Sequence, residues 1–278
     1  MRINILVATL DQGIKRVPNI LLPQRGDLQY IVSHQVTSKK YRKIPAALTR
    51  KDISVVQIEG KGLCRNRNNA LALADGDIII LADDDVRYRD EYMENVKNAF
   101  NDDQDLSVAC FKIATPPGEP EYKEYARRPY LLDEEEHHYI STLEIVFRLD
   151  RIKEEGLYFD ERFGLGSKLN SFGEESVFIH DCLKAGLRVK YIPQYIVEHP
   201  SVSTIKSIGR YEEVHNIFKG AYDARRYGWL AFPAAFYGTL KLWPQLRRYG
   251  KSPRDYLAER LRGAAYILRE KINPKPYS

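Results

Sequence analysis

Short apolar runs alternate with helix-patterned segments along the first two hundred residues. Residues 3–9 (INILVAT), 28–34 (LQYIVSH) and 53–58 (ISVVQI) have the length and apolar content of buried strands. The Ala/Leu-rich stretch 62–74 and the segment 89–101 predict helices. Between them, 77–82 (DIIILA) is the most apolar strand of the chain, and 106–113 and 141–149 continue the series. Residues 173–186 predict an amphipathic helix with Phe178, Ile179, Cys182 and Leu183 on one face and a stop at Gly186. Residues 187–199 read as extended. Strands alternating with helices imply an α/β fold, a mostly parallel central sheet flanked by helices. Ligands of such sheets bind beyond the carboxyl ends of the strands.

Two stretches break the alternation. Residues 115–139 form a Pro-, Gly- and Glu-rich segment, and a loop of that length usually serves binding or motion. From about residue 203 the pattern is helical: 203–227, then 229–249 broken at Pro233 and Pro244, then 252–271. The expected organisation is a catalytic domain over 1–203 and a C-terminal helical extension over 204–278.

Charge sharpens that division. The chain has 278 residues and a formal charge of +5. Residues 205–278 hold 15 Lys/Arg and 6 Asp/Glu, whereas residues 1–204 hold 28 and 32. The basic character thus belongs to the extension. Within it, 229–243 (WLAFPAAFYGTLKLW) is apolar, carries Trp at both ends and is flanked by Arg225-Arg226 and Arg247-Arg248. That pattern suits a helix lying in a membrane interface, a peripheral contact through 225–249, and equally a helix packed on protein. No run is long enough to span a bilayer. No nucleic-acid motif accompanies the charge, so no nucleic-acid partner is expected. The three cysteines, Cys64, Cys110 and Cys182, show neither zinc spacing nor a disulfide framework. With no secretory pattern at the N-terminus, a cytoplasmic location is expected, with peripheral attachment at the inner face of the membrane as its variant.

The candidate chemistry is acidic. Asp83, Asp84 and Asp85 close the most apolar strand. Adjacent carboxylates repel, and a divalent cation relieves that cost. On an extended chain Asp83 and Asp85 would face one ligand while Asp84 faces elsewhere. Mg2+ and Mn2+ favour such oxygen donors and bridge to phosphates. An ordinary solvated acidic turn is the plainer reading. Glu174 and Glu175 fall in the first turn of a helix, where an ionised carboxylate is favoured and where it could act as a general base. Ordinary charge–dipole pairing would explain them as well.

Taken together, four segments in order resemble the family 2 glycosyltransferases with the GT-A fold: GKGLCRNRNNAL at 60–71, GDIIILADDD at 76–85, FGEES at 172–176 and VEHP at 197–200. The resemblance covers about residues 1–203. It implies inverting transfer of a sugar from a nucleotide-diphosphate donor, a UDP-sugar foremost, to an acceptor hydroxyl on a glycan or lipid-linked acceptor. It implies Mn2+ or Mg2+ as cofactor, with Asp83 and Asp85 as metal ligands and His199 completing the metal or diphosphate site. Thr9, Asp11, Arg65, Asn66, Asp83 and Asp84 are the residues expected on the donor, and Glu175 is the expected base with Glu174 as its rival.

The chain departs from the family in two places. After the second strand it reads Ser33-His34-Gln35-Val36-Thr37 instead of an acidic, Ser-rich loop, and Asp11 is the residue expected to take over part of base recognition. Gln245-Leu246-Arg247-Arg248-Tyr249 lacks the Trp of the processive synthases. Two other readings stay open: a sugar nucleotidyltransferase, and a non-catalytic membrane- or protein-binding module with a degenerate site.

Overall fold

The computed structural model describes residues 1–134, 139–201 and 211–272. Eight strands form one sheet: β1 (Ile3–Leu10), β2 (Leu28–Val36), β3 (Ile53–Glu59), β4 (Ile78–Asp83), β5 (Val108–Ala114), β6 (Tyr130–Leu131), β7 (Ile145–Arg148) and β8 (Val189–Glu198). Their spatial order is β3-β2-β1-β4-β7-β5-β8-β6. The pairs β1–β2, β2–β3, β1–β4 and β5–β8 are parallel, while β7 runs antiparallel between β4 and β5 and β6 antiparallel to β8. The expected α/β architecture with a mostly parallel sheet is therefore present.

From β1 the chain adds β2 and β3 on one side and then β4 on the other. That reversal marks the switch point of the sheet, and sheets of this kind bind ligands in the crevice outside the carboxyl ends of the strands there, here β1 and β4. The register pairs Ala8 with Asp83, so the residues just beyond, Thr9 and Asp84, emerge side by side at the crevice.

Helices cover both faces. Helix α2 (Asp90–Asp102) buries Tyr92, Met93, Val96 and Phe100 in the cluster that holds Ile5, Val7 and Ile80. Helices α1 (Leu63–Ala72) and α4 (Glu174–Lys184) cover the opposite face, in the cluster with Leu6, Ile79 and Leu81. There Phe178 of α4 stacks on Phe159 at 4.6 Å and meets Phe147 of β7 at 5.4 Å. Sharing one face is what brings the start of α4 against α1.

The run expected as a strand over 141–149 is shorter. Ser141 and Glu144 close a capping box around a short 3-10 turn, β7 takes four residues, and α3 (Leu149–Glu154) begins at once. An apolar run of this length does not tell a strand from a helix start.

The extension forms α5 (Glu213–Tyr227), α6 (Ala231–Arg248) and α7 (Pro253–Arg269). The boundary expected near residue 203 lies outside the described residues. The break expected at Pro233 does not occur: it occupies the first turn of α6, where no helical N–H is needed. Pro244 sits inside the helix without ending it. Helices α5 and α7 touch backbone to backbone, because a Cβ on Gly220 would lie 1.9 Å from the Arg260 carbonyl and one on Gly263 would lie 2.0 Å from that of Ile217. Arg225 of α5 bonds Asp181 of α4 at 2.7 Å, which ties the extension to the sheet domain.

Candidate active site

Strand β4 ends at Asp83, and the next two aspartates lie in a turn, so the alternation of an extended chain stops there. The three carboxylates separate. Asp84 turns inward and is buried, accepting from the Thr9 hydroxyl and the Arg16 guanidinium. A Cβ on Gly13 would fall 2.0 Å from the Asp84 Oδ2 and 2.5 Å from the Thr9 hydroxyl, so a larger residue there would push this pair apart. Thr9 and Asp84, both expected on the donor, are thus joined to each other. Asp83 reaches toward Arg67, with 3.5 Å between Oδ1 and Nη2. Desolvation raises its carboxyl although 40% of the side-chain surface is open; Arg67 opposes the rise and Asp85 adds to it.

Asp85 meets His199. Main-chain bonds between Arg87 and Glu198, 2.9 and 2.8 Å, join the end of β8 to the chain just beyond the triplet. They set His199 Nε2 3.8 Å from Asp85 Oδ1. His199 Nδ1 lies 2.7 Å from the Pro200 carbonyl, which can only accept, so Nδ1 carries the proton. Nε2 is then the nitrogen turned toward the carboxylate. An imidazole nitrogen and a carboxylate oxygen set across that gap are donors a divalent cation can take. Among the described residues no group of three or more His, Cys, Asp or Glu side chains is arranged to hold a metal. A cation at Asp85 and His199 would draw its remaining ligands from a substrate's phosphates, as Mg2+ and Mn2+ commonly do. Asp83, expected as a third ligand, is directed at Arg67.

Arg67 joins the two acidic sites. It is buried in α1, with Nη1 2.7 Å from Glu174 Oε1 and Nη2 on Asp83. The segment leading into α4 is folded onto α1: Leu63 N–H donates to the Leu165 carbonyl at 2.9 Å, and a Cβ on Gly166 would lie 3.0 Å from the Gly62 backbone. Asn68 holds the same segment, bonding both the carbonyl and the N–H of Phe159 at 2.8 and 2.9 Å. Gly173, in the left-handed region at φ 86°, caps α4, and a Cβ there would sit 2.2 Å from the Phe218 ring of α5. Glu174 and Glu175 are both buried. Burial, and after it the charge of Glu174, pushes the Glu175 carboxyl well above the ordinary range.

The chain carries Arg-Asn twice, at 65–66 and 67–68. The structure places Arg65 at the exposed rim, donating to the Glu59 carbonyl at 3.1 Å. Asn66 is buried, donates to the Thr9 carbonyl at 3.0 Å and leaves its Oδ1 without a partner among the described residues. Arg67, in the second pair, was not among the expected donor residues, yet the sequence carries a signal for it. Cys64, Arg67, Asn68 and Leu71 recur at the i, i+3, i+4, i+7 spacing of a buried helix face.

Beyond β2 and β3 lies a cavity of about 620 Å3 lined by Thr37, Ser38, Lys39, Arg42, Glu59 and Lys61 among others. Asp11, at φ 49°, borders this end of the sheet. Its carboxylate takes the Thr37 N–H at 2.8 Å and the Thr37 hydroxyl at 2.7 Å, and its carbonyl contacts His34 Nε2 at 2.9 Å. Asp11 therefore shapes the loop at the cavity. On the other side, the 115–139 loop lines the site. Tyr122 meets the His199 ring edge-on at 5.8 Å, Glu119 accepts from the Ser201 N–H at 2.6 Å, and Tyr139 lies near enough to Glu175 to feel its charge. Residues 135–138 of that loop are outside the described residues.

Fold and site together define an α/β protein of GT-A type with a charged crevice at the switch point of its sheet. Residues 35–159 match the family model described as Glycosyl transferase family 2, so the chain's resemblance to that family is shown. Two S. aureus TarS crystal structures are similar in fold. One covers 72% of this chain and 37% of its own, at 16% identity and TM-score 0.50. The other, TarS 1-349 in complex with UDP-GlcNAc, covers 81% and 66%, at 14% identity and TM-score 0.51. The chain thus spans less than two thirds of those TarS chains. Among curated proteins no sequence matches it significantly.

Proposed function

We propose that this chain transfers a sugar, with inversion, from a nucleotide-diphosphate sugar, a UDP-sugar foremost, to a hydroxyl of a glycan or lipid-linked acceptor. One observation carries the reading: Arg67 bonds Asp83 and Glu174 at once, so the acidic start of α4 and the acidic end of β4 border the same crevice. The family match over residues 35–159 supports the same class.

The diphosphate would sit at the carboxyl ends of β1 and β4, with the nucleoside toward the cavity at β2 and β3. Asp85 and His199 would hold Mn2+ or Mg2+, which when bound offsets the charge of the departing diphosphate. Arg67 occupies one oxygen of Glu174 and holds it against α1. Glu175 is left as the base, its carboxyl raised by burial and by the charge of Glu174, so that once ionised it takes up a proton readily. The acceptor O–H gives its proton to Glu175 as its oxygen bonds the sugar C1, and the C1–O bond to the diphosphate breaks with its electron pair. Glu174, paired with Arg67, keeps Glu175 from ionising too readily and so acts through it.

The test is a panel of nucleotide sugars with Mn2+ or Mg2+. The expected result is slow release of nucleoside diphosphate from at least one, abolished by Asp85→Ala. Pyrophosphate release from a nucleoside triphosphate and a sugar phosphate, with no cleavage of any nucleotide sugar, would instead mark a nucleotidyltransferase.

A further inference from the structure

The side of α6 that faces away from α5 and α7 has no cover in the described structure. Ala231, Ala235, Thr239 and Leu246 are buried, whereas Phe236, Tyr237, Leu240 and Trp243 stand outward, preceded by Trp229 and Leu230. Their exposures run from 40% at Trp243 and 52% at Phe236 to 74% at Trp229. Along a helix these residues form one stripe about 20 Å long, at a rise of about 1.5 Å per residue. Exposed apolar surface of this extent marks an interaction site.

The charge around the stripe selects the occupant. Residues 224–254 hold seven Lys/Arg and no Asp or Glu. Arg225 is committed to Asp181, Arg226 to the Glu134 carbonyl at 2.8 Å, and Lys251 to Glu259 at 2.7 Å. Lys241, Arg247 and Arg248 make no ion pair among the described residues, and Arg247 lies 6.0 Å from the Trp243 ring. A second copy set against this face would oppose cations to cations with no acid to pair them. An anionic bilayer meets both demands. Tryptophan and tyrosine rings settle at headgroup depth, and the cations meet lipid phosphates. No described helix is long and apolar enough to cross a membrane, so the contact lies in the interface plane.

We propose that the outer face of α6, from Trp229 to Arg248, is a docking surface for an anionic lipid bilayer. It is independent of the glycosyl-transfer reading. Trp229 and Trp243 are the only tryptophans of the chain, so intrinsic fluorescence reports this face directly.

The experiment adds vesicles of phosphatidylcholine, with or without about 30% phosphatidylglycerol, to the full chain. The expected result is a blue shift and co-sedimentation with the anionic vesicles alone, weakening as salt shortens the screening length from about 10 to 3 Å. Lys241→Gln with Arg248→Gln should lower partitioning about 25-fold, about fivefold per cation. Both side chains are exposed, so thermal unfolding should match the parent's. An unchanged spectrum with anionic vesicles would overturn the proposal. So would a blue shift that follows protein concentration and self-association without lipid, which assigns the face to a second copy.

Discussion

Arg67→Met tests the link between the two acidic sites. The guanidinium and the Glu174 carboxylate are almost entirely enclosed, with 4% and 6% of their side-chain surfaces exposed, and lie 2.7 Å apart. Methionine keeps much of the volume and contact with Phe159, over whose ring the guanidinium lies at 5.7 Å. What is lost is the charge. Removing one member of a buried pair leaves the other uncompensated and costs about 3–5 kcal/mol. Here the orphan also faces Glu175, so relief comes from taking up a proton. The deficit should therefore shrink as pH falls and grow as it rises. Urea denaturation followed by circular dichroism across pH gives the magnitude. Arg67→Met with Glu174→Gln removes the orphan and should recover much of the loss, whereas independent sites would add. A stability within about 0.5 kcal/mol of the parent for Arg67→Met alone, or strict additivity of the two changes, would refute the link.

The remaining predictions concern the base, the cap and the cation. Glu175→Gln should abolish transfer and leave nucleoside-diphosphate binding intact, as measured by calorimetry. Because the Glu175 carboxyl is raised and the base must be ionised, activity should fall as pH drops through that raised value, well above the ordinary carboxylate range. Stability carries the opposite sign: a raised folded-state carboxyl stabilises below the unfolded value and loses that contribution as pH rises through the folded one. Gly173→Ala combines a left-handed backbone with a 2.2 Å approach to Phe218 and should cost at least about 2 kcal/mol. Adding Phe218→Ala relieves the clash but not the backbone strain, so urea midpoints should recover only in part. Saturating nucleoside diphosphate with Mn2+, at about 100 times its dissociation constant, should add about 2.7 kcal/mol to the parent in thermal shift, and much less to Asp85→Ala.

Much of this architecture is written locally. β1 to β5 are apolar runs bounded by turn residues, whereas the change of side between β3 and β4 is not local, because the one helix between them, α1, is compatible with either side of β1. The direction of β7 is not local: an apolar four-residue strand reads the same when paired parallel or antiparallel. The acidic triplet was legible as chemistry, but its geometry was not. Alternation of an extended chain pairs Asp83 with Asp85, whereas the chain turns at Asp84, and Thr9 and Arg16 take that residue into the interior. Arg67 shows the other kind of gap. Its periodicity marks a buried position, and a buried arginine demands carboxylate partners, but Glu174 lies 107 residues away. Only the fold of 160–173 onto α1 names it. His199 was marked by the VEHP segment, but its neighbour was not: the zip between Arg87 and Glu198 sets it beside Asp85.

The anomeric form of the first sugar released reports on the displacement at C1 itself. Proton NMR of the chain with Mg2+, which is diamagnetic and leaves the sugar lines sharp, and a UDP-α-sugar, water standing in for the acceptor, should show the β-anomer before mutarotation mixes the two, and no release with Glu175→Gln. Appearance of the α-anomer first, or release that persists in Glu175→Gln, would contradict a single displacement driven by that carboxylate.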